Sequence, residues 1–438
     1  MNHSPTSSHR GALLTLALAP TLAIWLFAYV TLSPIFNLPA GISGGWATII
    51  LILTGFFLAK QTGSGLTGGL KLGLLIGAIN FILVASLHGK DRGEALTSGL
   101  LWIGGATVCS IVFCTLGAAL GSLGKTPEKK SIIWSAPLAL IVAAATFPLL
   151  ISGGIVTGLE AGMAVPDWLT TFDYPMMFYP LTKMQADPGV YAEHFHRLWG
   201  LLVGLSVIIL AVHLHRVETR KWIKRLSIFI ILAIIIQGVL GGTRVTENSI
   251  ILAGLHGVFA QMVFATIVLT AAFVSRTWRS DAPPVPHPSA PKDHRITTTL
   301  VILLLIQLML GAMYRHTINP KFPVDIPKPV EHSILLLHVL MALVVAGYAA
   351  RTAFRMVAHK TDHPLLKKIG MGLAHTILLQ FLLGIGALVM VLVRGDQPEI
   401  PLLELILTTA HQINGALILT FATLLAAWTR RLLSPESP

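Results

Sequence analysis

Four histidines lie inside apolar stretches of this 438-residue chain: His196, His256, His338 and His411. A carboxylate, Glu193, stands three residues before the first of them in "EHFHRLWG". Neutral imidazole is a metal ligand and moves protons near neutral pH. A carboxylate at i−3 shares the histidine's helical face, where it can orient a ligand or serve as general acid or base. Arg197 follows directly; its guanidinium suits a carboxylate or phosphate, or it snorkels to an interface. His194 sits about 200° around a helix from His196, cannot share its metal, and reads as a solvated interfacial histidine.

The elements that hold these groups are membrane helices. The chain is 54% hydrophobic and 11% charged, with a mean hydropathy of +0.76, against about 25% charged residues in soluble domains. Runs of about 20 apolar residues cross a bilayer, and in lipid such runs must be helical. Twelve are predicted, centred near residues 22, 51, 77, 108, 145, 206, 234, 263, 305, 346, 380 and 415. The first is too long for a signal-peptide core. Cys109 and Cys114, five apart in an apolar run, read as small packing residues rather than a disulfide or metal pair.

The net charge of +12 could suggest nucleic acid. Its distribution follows membrane topology instead. With the amino terminus in the cytoplasm, 22 of the 31 Lys and Arg fall on cytoplasmic segments such as "GKTPEKKS" and "RMVAHKTDHPLLKK", and 13 of the 19 acids fall outside. The positive-inside rule then predicts a multi-pass cell-membrane protein with both termini cytoplasmic and no nucleic-acid partner.

The chain also repeats. A Q-x-x-L-G pattern recurs at Gln237, Gln307 and Gln380. Helices five to eight and nine to twelve read as two parallel four-helix units, joined by the Pro-rich "RSDAPPVPHPSAPKDHR". The predicted organisation is a four-helix extension (1–130) and two units, 131–280 and 281–438. Under this topology each of the four histidines enters from the outer face on an even-numbered helix, two per unit. Packing is the usual fate of one lone helical histidine. Four at matched depth, beside small residues such as "AGLHG" and "AHQINGA", fit haem iron held across a bundle.

The segments "GGIVTGLEAGMAVPDW", "EHFHR", "LGAMYRHT" and "TTAHQINGA" resemble the heme A synthase family over roughly residues 135–430. The resemblance implies an eight-helix, pseudo-twofold enzyme that oxidises a methyl group of heme O to the formyl group of heme A for terminal oxidases. It implies His196 and His256 at the substrate haem, His338 and His411 as ligands of a haem b, and Glu193 as the catalytic carboxylate. Arg197, Arg315 and His316, with Arg244, raise the question of propionate binding. An electron acceptor or the quinone pool is implied as a partner, and the heme O synthase as a docking partner of the extension. The chain departs from some members in lacking outer-loop cysteine pairs. Its second unit also lacks E-x-x-H, because Glu331 lies seven residues before His338. A haem b electron-transfer protein shares all four histidines without needing Glu193, and a twelve-helix transporter fits the helix count and the repeats loosely, though its sites lie at broken helices near the midplane and these histidines lie near the outer surface.

Overall fold

The computed structural model describes residues 5–81, 89–123, 132–318, 326–358, 363–395, 397 and 399–436. His88, the "GKTPEKKS" segment, residues 359–362 of the basic "RMVAHKTDHPLLKK", and residues 319–325 lie outside the described residues.

The protein is an all-α integral membrane protein. Its helices are α1 (Pro5–Thr31), α2 (Ala40–Thr62), α3 (Gly65–Asn80), α4 (Arg92–Ser122), α5 (Ser135–Gly158), α6 (Pro188–Val217), α7 (Lys221–Thr246), α8 (Ile250–Phe273), α9 (Ala290–Thr317), α10 (Lys328–Ala358), α11 (Pro364–Arg394) and α12 (Leu402–Leu432). Among the described residues, eleven helices are long and apolar enough to cross a bilayer. The twelfth expected span, α3, is a shorter apolar helix of 16 residues.

Helix starts follow local chemistry. Asp91 caps α4 by accepting from the Glu94 N–H at 2.9 Å, and the Glu94 carboxylate accepts from the N–H of Lys90, just before the cap, at 3.0 Å. Asp187 caps α6 through the Val190 N–H at 2.9 Å, with Pro188 at the first helical position, where its missing N–H is not needed.

The chain divides into two compact units, residues 1–152 with 161–232, and residues 153–160 with 233–438. In the first, α2 and α4 cross at Gly55 and Gly117, where a Cβ would collide with the carbonyls of Cys114 and Ile52 respectively. Small residues permit this approach in lipid, where dispersion replaces hydrophobic driving force. Cys114 is buried there, Cys109 is exposed, and both are free thiols. Helix α1 docks on α6: the Tyr29 and Phe195 rings stand 4.4 Å apart, and the Tyr191 hydroxyl donates to the Tyr29 carbonyl at 2.6 Å.

In the second unit, Leu300, Ala349, Leu373, Ala422 and Leu425 pack a core between α9, α10, α11 and α12. Arg355 donates to the fully buried Asp293 at 2.6 Å, tying α10 to the start of α9. The linker segment Val285–Pro286 pairs in parallel with Leu433–Ser434 after α12.

Candidate functional site

The second unit brings two of the expected ligands face to face. The imidazole rings of His338 on α10 and His411 on α12 have centroids 6.4 Å apart and planes inclined by 76°. A metal–imidazole bond is about 2.0–2.1 Å, and a ring centre lies about 1.2 Å behind its nitrogen. Two imidazoles on opposite sides of one ion therefore stand roughly 6.4–6.6 Å apart. The separation of the two ring centres falls at this value. Among the described residues no group of three or more His, Cys, Asp or Glu forms a metal cage.

Each of these histidines faces a glutamine and a glycine one turn further on. The Gln307 amide nitrogen lies 3.1 Å from His338 Nδ1 and donates to the His338 carbonyl at 3.1 Å. The Gln380 amide nitrogen lies 3.3 Å from His411 Nε2, and its oxygen accepts from Asn414 at 2.8 Å. A Cβ on Gly311 would stand 2.9 Å from His338 Cε1, and one on Gly384 would stand 3.0 Å from His411 Cε1. The buried Gln307 Oε1 and His411 Nδ1 have no hydrogen-bond partner. Orphaned polar atoms are costly in a packed interior and are expected where a ligand completes the site.

His256 on α8 also lies against a glycine, with a Cβ on Gly241 2.9 Å from its Cε1, but its ring meets the glutamine's main chain and not its side chain. Its Nδ1 faces the Gln237 main-chain carbonyl at 3.2 Å, and the Gln237 amide donates to the His256 carbonyl at 2.7 Å. A carbonyl only accepts, so the ring hydrogen sits on Nδ1 and the lone pair on Nε2, the tautomer a metal ligand needs.

Arg315 and His316 end α9. Arg315 donates to the Thr157 carbonyl at 2.7 Å and lies 4.0 Å from Glu160. Glu160 also meets Arg394 at 3.4 Å, and Arg394 meets Glu404 at 3.0 Å. This forms a buried alternation of two guanidinium and two carboxylate groups. One Arg315 nitrogen, Nη1, is buried without a hydrogen bond. His316 is half-buried, 3.9 Å from where a Cβ on Gly254 would stand.

The first unit holds the other constellation, on α6. Glu193 is 2% exposed, and its two oxygens have separate partners. Oε2 accepts from the Val165 N–H at 2.8 Å and Oε1 from Arg197 at 2.7 Å. Arg197 also donates to the carbonyls of Val165 at 2.8 Å, Asp167 at 2.6 Å and Thr170 at 3.2 Å. The guanidinium proposed for a propionate is thus turned to the α5–α6 loop, which it fastens to the glutamate.

That loop carries "AVPDW". Asp167 accepts from the N–H groups of Phe172 at 2.8 Å and Asp173 at 2.9 Å. Both residues adopt left-handed backbone, φ 48° and 64°, in the two-residue turn of a hairpin pairing Thr170–Thr171 with Tyr174–Pro175. Burial pushes the Asp167 carboxyl up. Hydrogen bonds from the Thr170 side chain and the Asp173 and Phe172 main chain outweigh it and hold the group below its usual range.

His194 corrects the expectation of a solvated interfacial residue. It is 1% exposed, 3.1 Å from the Thr171 hydroxyl, with its ring centre 5.2 Å from that of Tyr179 and the planes inclined by 59°. The loop folds back over it, which a two-residue offset from His196 does not reveal. His196 meets Ser152 Oγ at 2.8 Å. That hydroxyl also lies 2.9 Å from the Leu149 carbonyl, to which it can donate.

Sequence reasoning missed Ser152, Glu160, Arg394 and Glu404. The three glutamines carried a signal in their recurrence, but their partners did not. His196 belongs to the first unit and His256 to the second.

Comparison with known proteins bears on this geometry. The family described as COX15-CtaA, cytochrome oxidase assembly protein, matches residues 136–423. The chain is similar to the heme A synthase of Shouchella clausii, 28% identical over 137 residues, covering 30% of this chain and 43% of that protein. It is similar to the heme A synthase of Rickettsia massiliae, 28% identical over 130 residues, with 26% and 36% covered. The Rickettsia felis heme A synthase is 29% identical over 134 residues, with 28% and 38% covered. The matches span under half the length of these relatives.

Proposed function

From a chain that belongs to the COX15-CtaA family of cytochrome oxidase assembly proteins, we propose a multi-pass membrane oxidoreductase of the heme A synthase kind. It oxidises the methyl group of heme O to the formyl group of heme A: water supplies the formyl oxygen, four protons are released, and four electrons leave to an acceptor such as the quinone pool. The observation that carries this reading is the 6.4 Å separation of His338 and His411, which suits a bis-imidazole haem b. Bound there, such a haem supplies one-electron transfer. His338 and His411 would hold it, with Gln307 and Gln380 beside their rings.

His196 and His256 are assigned to the substrate haem through the family, and the Gln237 carbonyl facing His256 Nδ1 leaves that ring's Nε2 with its lone pair. Glu193, one turn before His196, is the acid or base that manages protons as the methyl carbon is oxidised. Arg197 serves it by holding the carboxylate and the loop together. Arg315 and His316 are proposed for the propionate edge, where Arg315 Nη1 awaits an acceptor. The extension of residues 1–130, the units 131–280 and 281–438, cytoplasmic termini, and docking of the heme O synthase on the extension complete the reading.

The test is haem extraction from cells carrying the chain as the only copy. Wild type yields heme A, whereas Glu193→Gln accumulates heme O or an alcohol-level intermediate. Because Glu193 also bonds Arg197, Arg197→Gln is the control. If Glu193 acted only through the clamp, both variants and their double would lose the same activity. The proposal requires Glu193→Gln to lose about 10²–10⁴-fold, well beyond Arg197→Gln. Haem b alone in wild-type extracts, with no heme A, would overturn it.

A further inference from the structure

The four-helix extension and residues 161–187 of the α5–α6 loop belong to one compact unit. Polar bonds join the extension to the loop and to α6 at three places, each through a main-chain carbonyl of the extension. The Tyr191 hydroxyl, at the start of α6, donates to the Tyr29 carbonyl at 2.6 Å. The Gln185 amide donates to the Leu32 carbonyl at 2.7 Å. The Lys183 ammonium donates to the Lys90 carbonyl at 3.0 Å and to the Tyr174 hydroxyl at 2.5 Å. The Tyr174 hydroxyl itself lies 3.3 Å from the Lys90 carbonyl. Beside these bonds, the exposed Arg92 and Asp173 stand 3.4 Å apart, and the rings of Phe81 and Phe178 meet edge-on at 6.4 Å.

These acceptors sit where helices leave carbonyls over. Tyr29 lies in the last turn of α1, whose carbonyls lack a partner in the helix, and the Ser33 N–H that a longer helix would give it bonds to Val30 instead. Leu32 lies just beyond that helix, and Lys90 just before the cap of α4. The loop that supplies their donors also binds Glu193 from its other side. Val165 gives its N–H to Glu193, while the carbonyls of Val165, Asp167 and Thr170 take Arg197. Tyr174 stands on the far strand of the same hairpin, paired with Thr171. Its ring lies 5.6 Å from Tyr179, which lies 5.2 Å from His194, the residue after Glu193. Packing the extension in lipid needs only close apolar contacts, such as Tyr29 on Phe195. Directional bonds to the loop fix its position as well.

We propose that the extension is a brace for the loop that holds Glu193: the carbonyls of Tyr29, Leu32 and Lys90 fix the α5–α6 segment from one side, so that Val165 and Arg197 hold the carboxylate in place from the other. Lys183, Gln185 and Tyr191 are then positioning residues that act through the loop. An acid or base works only when held close to its productive geometry by a supporting shell. A displacement of about 1 Å caused far from the chemistry can cost about 100-fold. The inference rests on the synthase reading, in which Glu193 manages protons, and it gives the extension a task inside its own chain.

The test removes the donors in the full chain, by Lys183→Met, Gln185→Leu and Tyr191→Phe, singly and together, and measures conversion of heme O to heme A per haem b. His338 and His411 lie in the other unit, so the haem b spectrum reports whether that unit is intact. The triple variant should lose about 10- to 100-fold in kcat with KM for heme O little changed. Amide exchange across residues 165–175 should rise, and the haem b spectrum should stay as in wild type. Lys183→Arg keeps the donors and should retain more activity than Lys183→Met. In an Arg197→Gln background, where the loop is already released, the triple variant should cost less than it does in wild type. Should the triple variant fail to accumulate, the single variants and the Lys183→Arg comparison decide. Unchanged kcat in the variants, a loss that only follows haem b content, or an equal loss in the Arg197→Gln background overturns the brace and leaves the synthase reading intact. A wild type that makes no heme A overturns that reading and the inference with it.

Discussion

Arg197 donates to Glu193 across 2.7 Å, one turn apart on α6, with side chains only 9% and 3% exposed. The pair is a junction. The same guanidinium collects the carbonyls of Val165, Asp167 and Thr170, and the same carboxylate takes the Val165 N–H. The glutamate is therefore fixed in place by the loop it fixes.

Arg197→Lys tests this junction. Lysine keeps the charge but places three donors on one point and cannot span the fork. Two or more carbonyl bonds should be lost, each worth about 0.5–1.5 kcal/mol net, leaving the helices folded. Limited proteolysis of residues 165–175 should accelerate, and circular dichroism should stay unchanged. An equally protected loop in Arg197→Lys would show that the fork is not what holds it.

The spacing of His338 and His411 makes a spectroscopic prediction. Two axial imidazoles give a low-spin, six-coordinate iron. His338→Ala and His411→Ala should each convert the haem b signal to high spin or abolish it. A low-spin spectrum untouched by His338→Ala would remove that residue from the ligand set.

Much of this was legible in the sequence, and the reasons for the rest are physical. The four histidines stood out because an ionisable group in an apolar run is rare and expensive. The recurring Q-x-x-L-G betrayed the repeat, but its glycine took on meaning only when His256, His338 and His411 were seen lying against it from the next helix. His194 was misjudged because its environment is set by Thr171, 23 residues away in sequence. Arg394 and Glu404 sit at helix ends, where basic and acidic residues normally meet solvent or a dipole, so nothing in their spacing announced that they close a buried cluster with Glu160.

That cluster gives a stability prediction. Arg394 and Glu404 are 7% and 2% exposed in their side chains, so neither charge has water to fall back on. Removing one partner of a buried pair typically costs about 3–5 kcal/mol. Glu404→Leu should therefore lower the melting temperature of the purified protein markedly, and adding Arg394→Met should recover most of the loss, since two apolar groups leave no buried charge. A Glu404→Leu protein as stable as wild type would mean that Arg394 finds full compensation in Glu160.

The last prediction concerns pH and the α5–α6 hairpin. Phe172 and Asp173 occupy left-handed backbone, which costs a residue with a Cβ about 1–2 kcal/mol, and the turn resembles the type that Asn-Gly favours. What holds it is Asp167, whose carboxylate accepts both N–H groups. Its carboxyl lies below the ordinary value in the folded chain. A depressed carboxyl contributes stability that is present above its unfolded pKa, about 3.9, and is lost as pH falls through the lower folded value. Amide-exchange protection of Phe172 and Asp173 should thus stay level from pH 7 to 5, after allowance for intrinsic exchange, and collapse only below the ordinary carboxylate range. Asp167→Asn should lose that protection at pH 7, because one amide face opposes a donor with a donor. Changing the turn to Asn-Gly, by Phe172→Asn with Asp173→Gly, should restore the hairpin in the Asp167→Asn background, since those residues accept the left-handed backbone without the carboxylate. If the restored turn stays unprotected, Asp167 matters through something other than the turn, with its neighbour Arg197 as the first place to look.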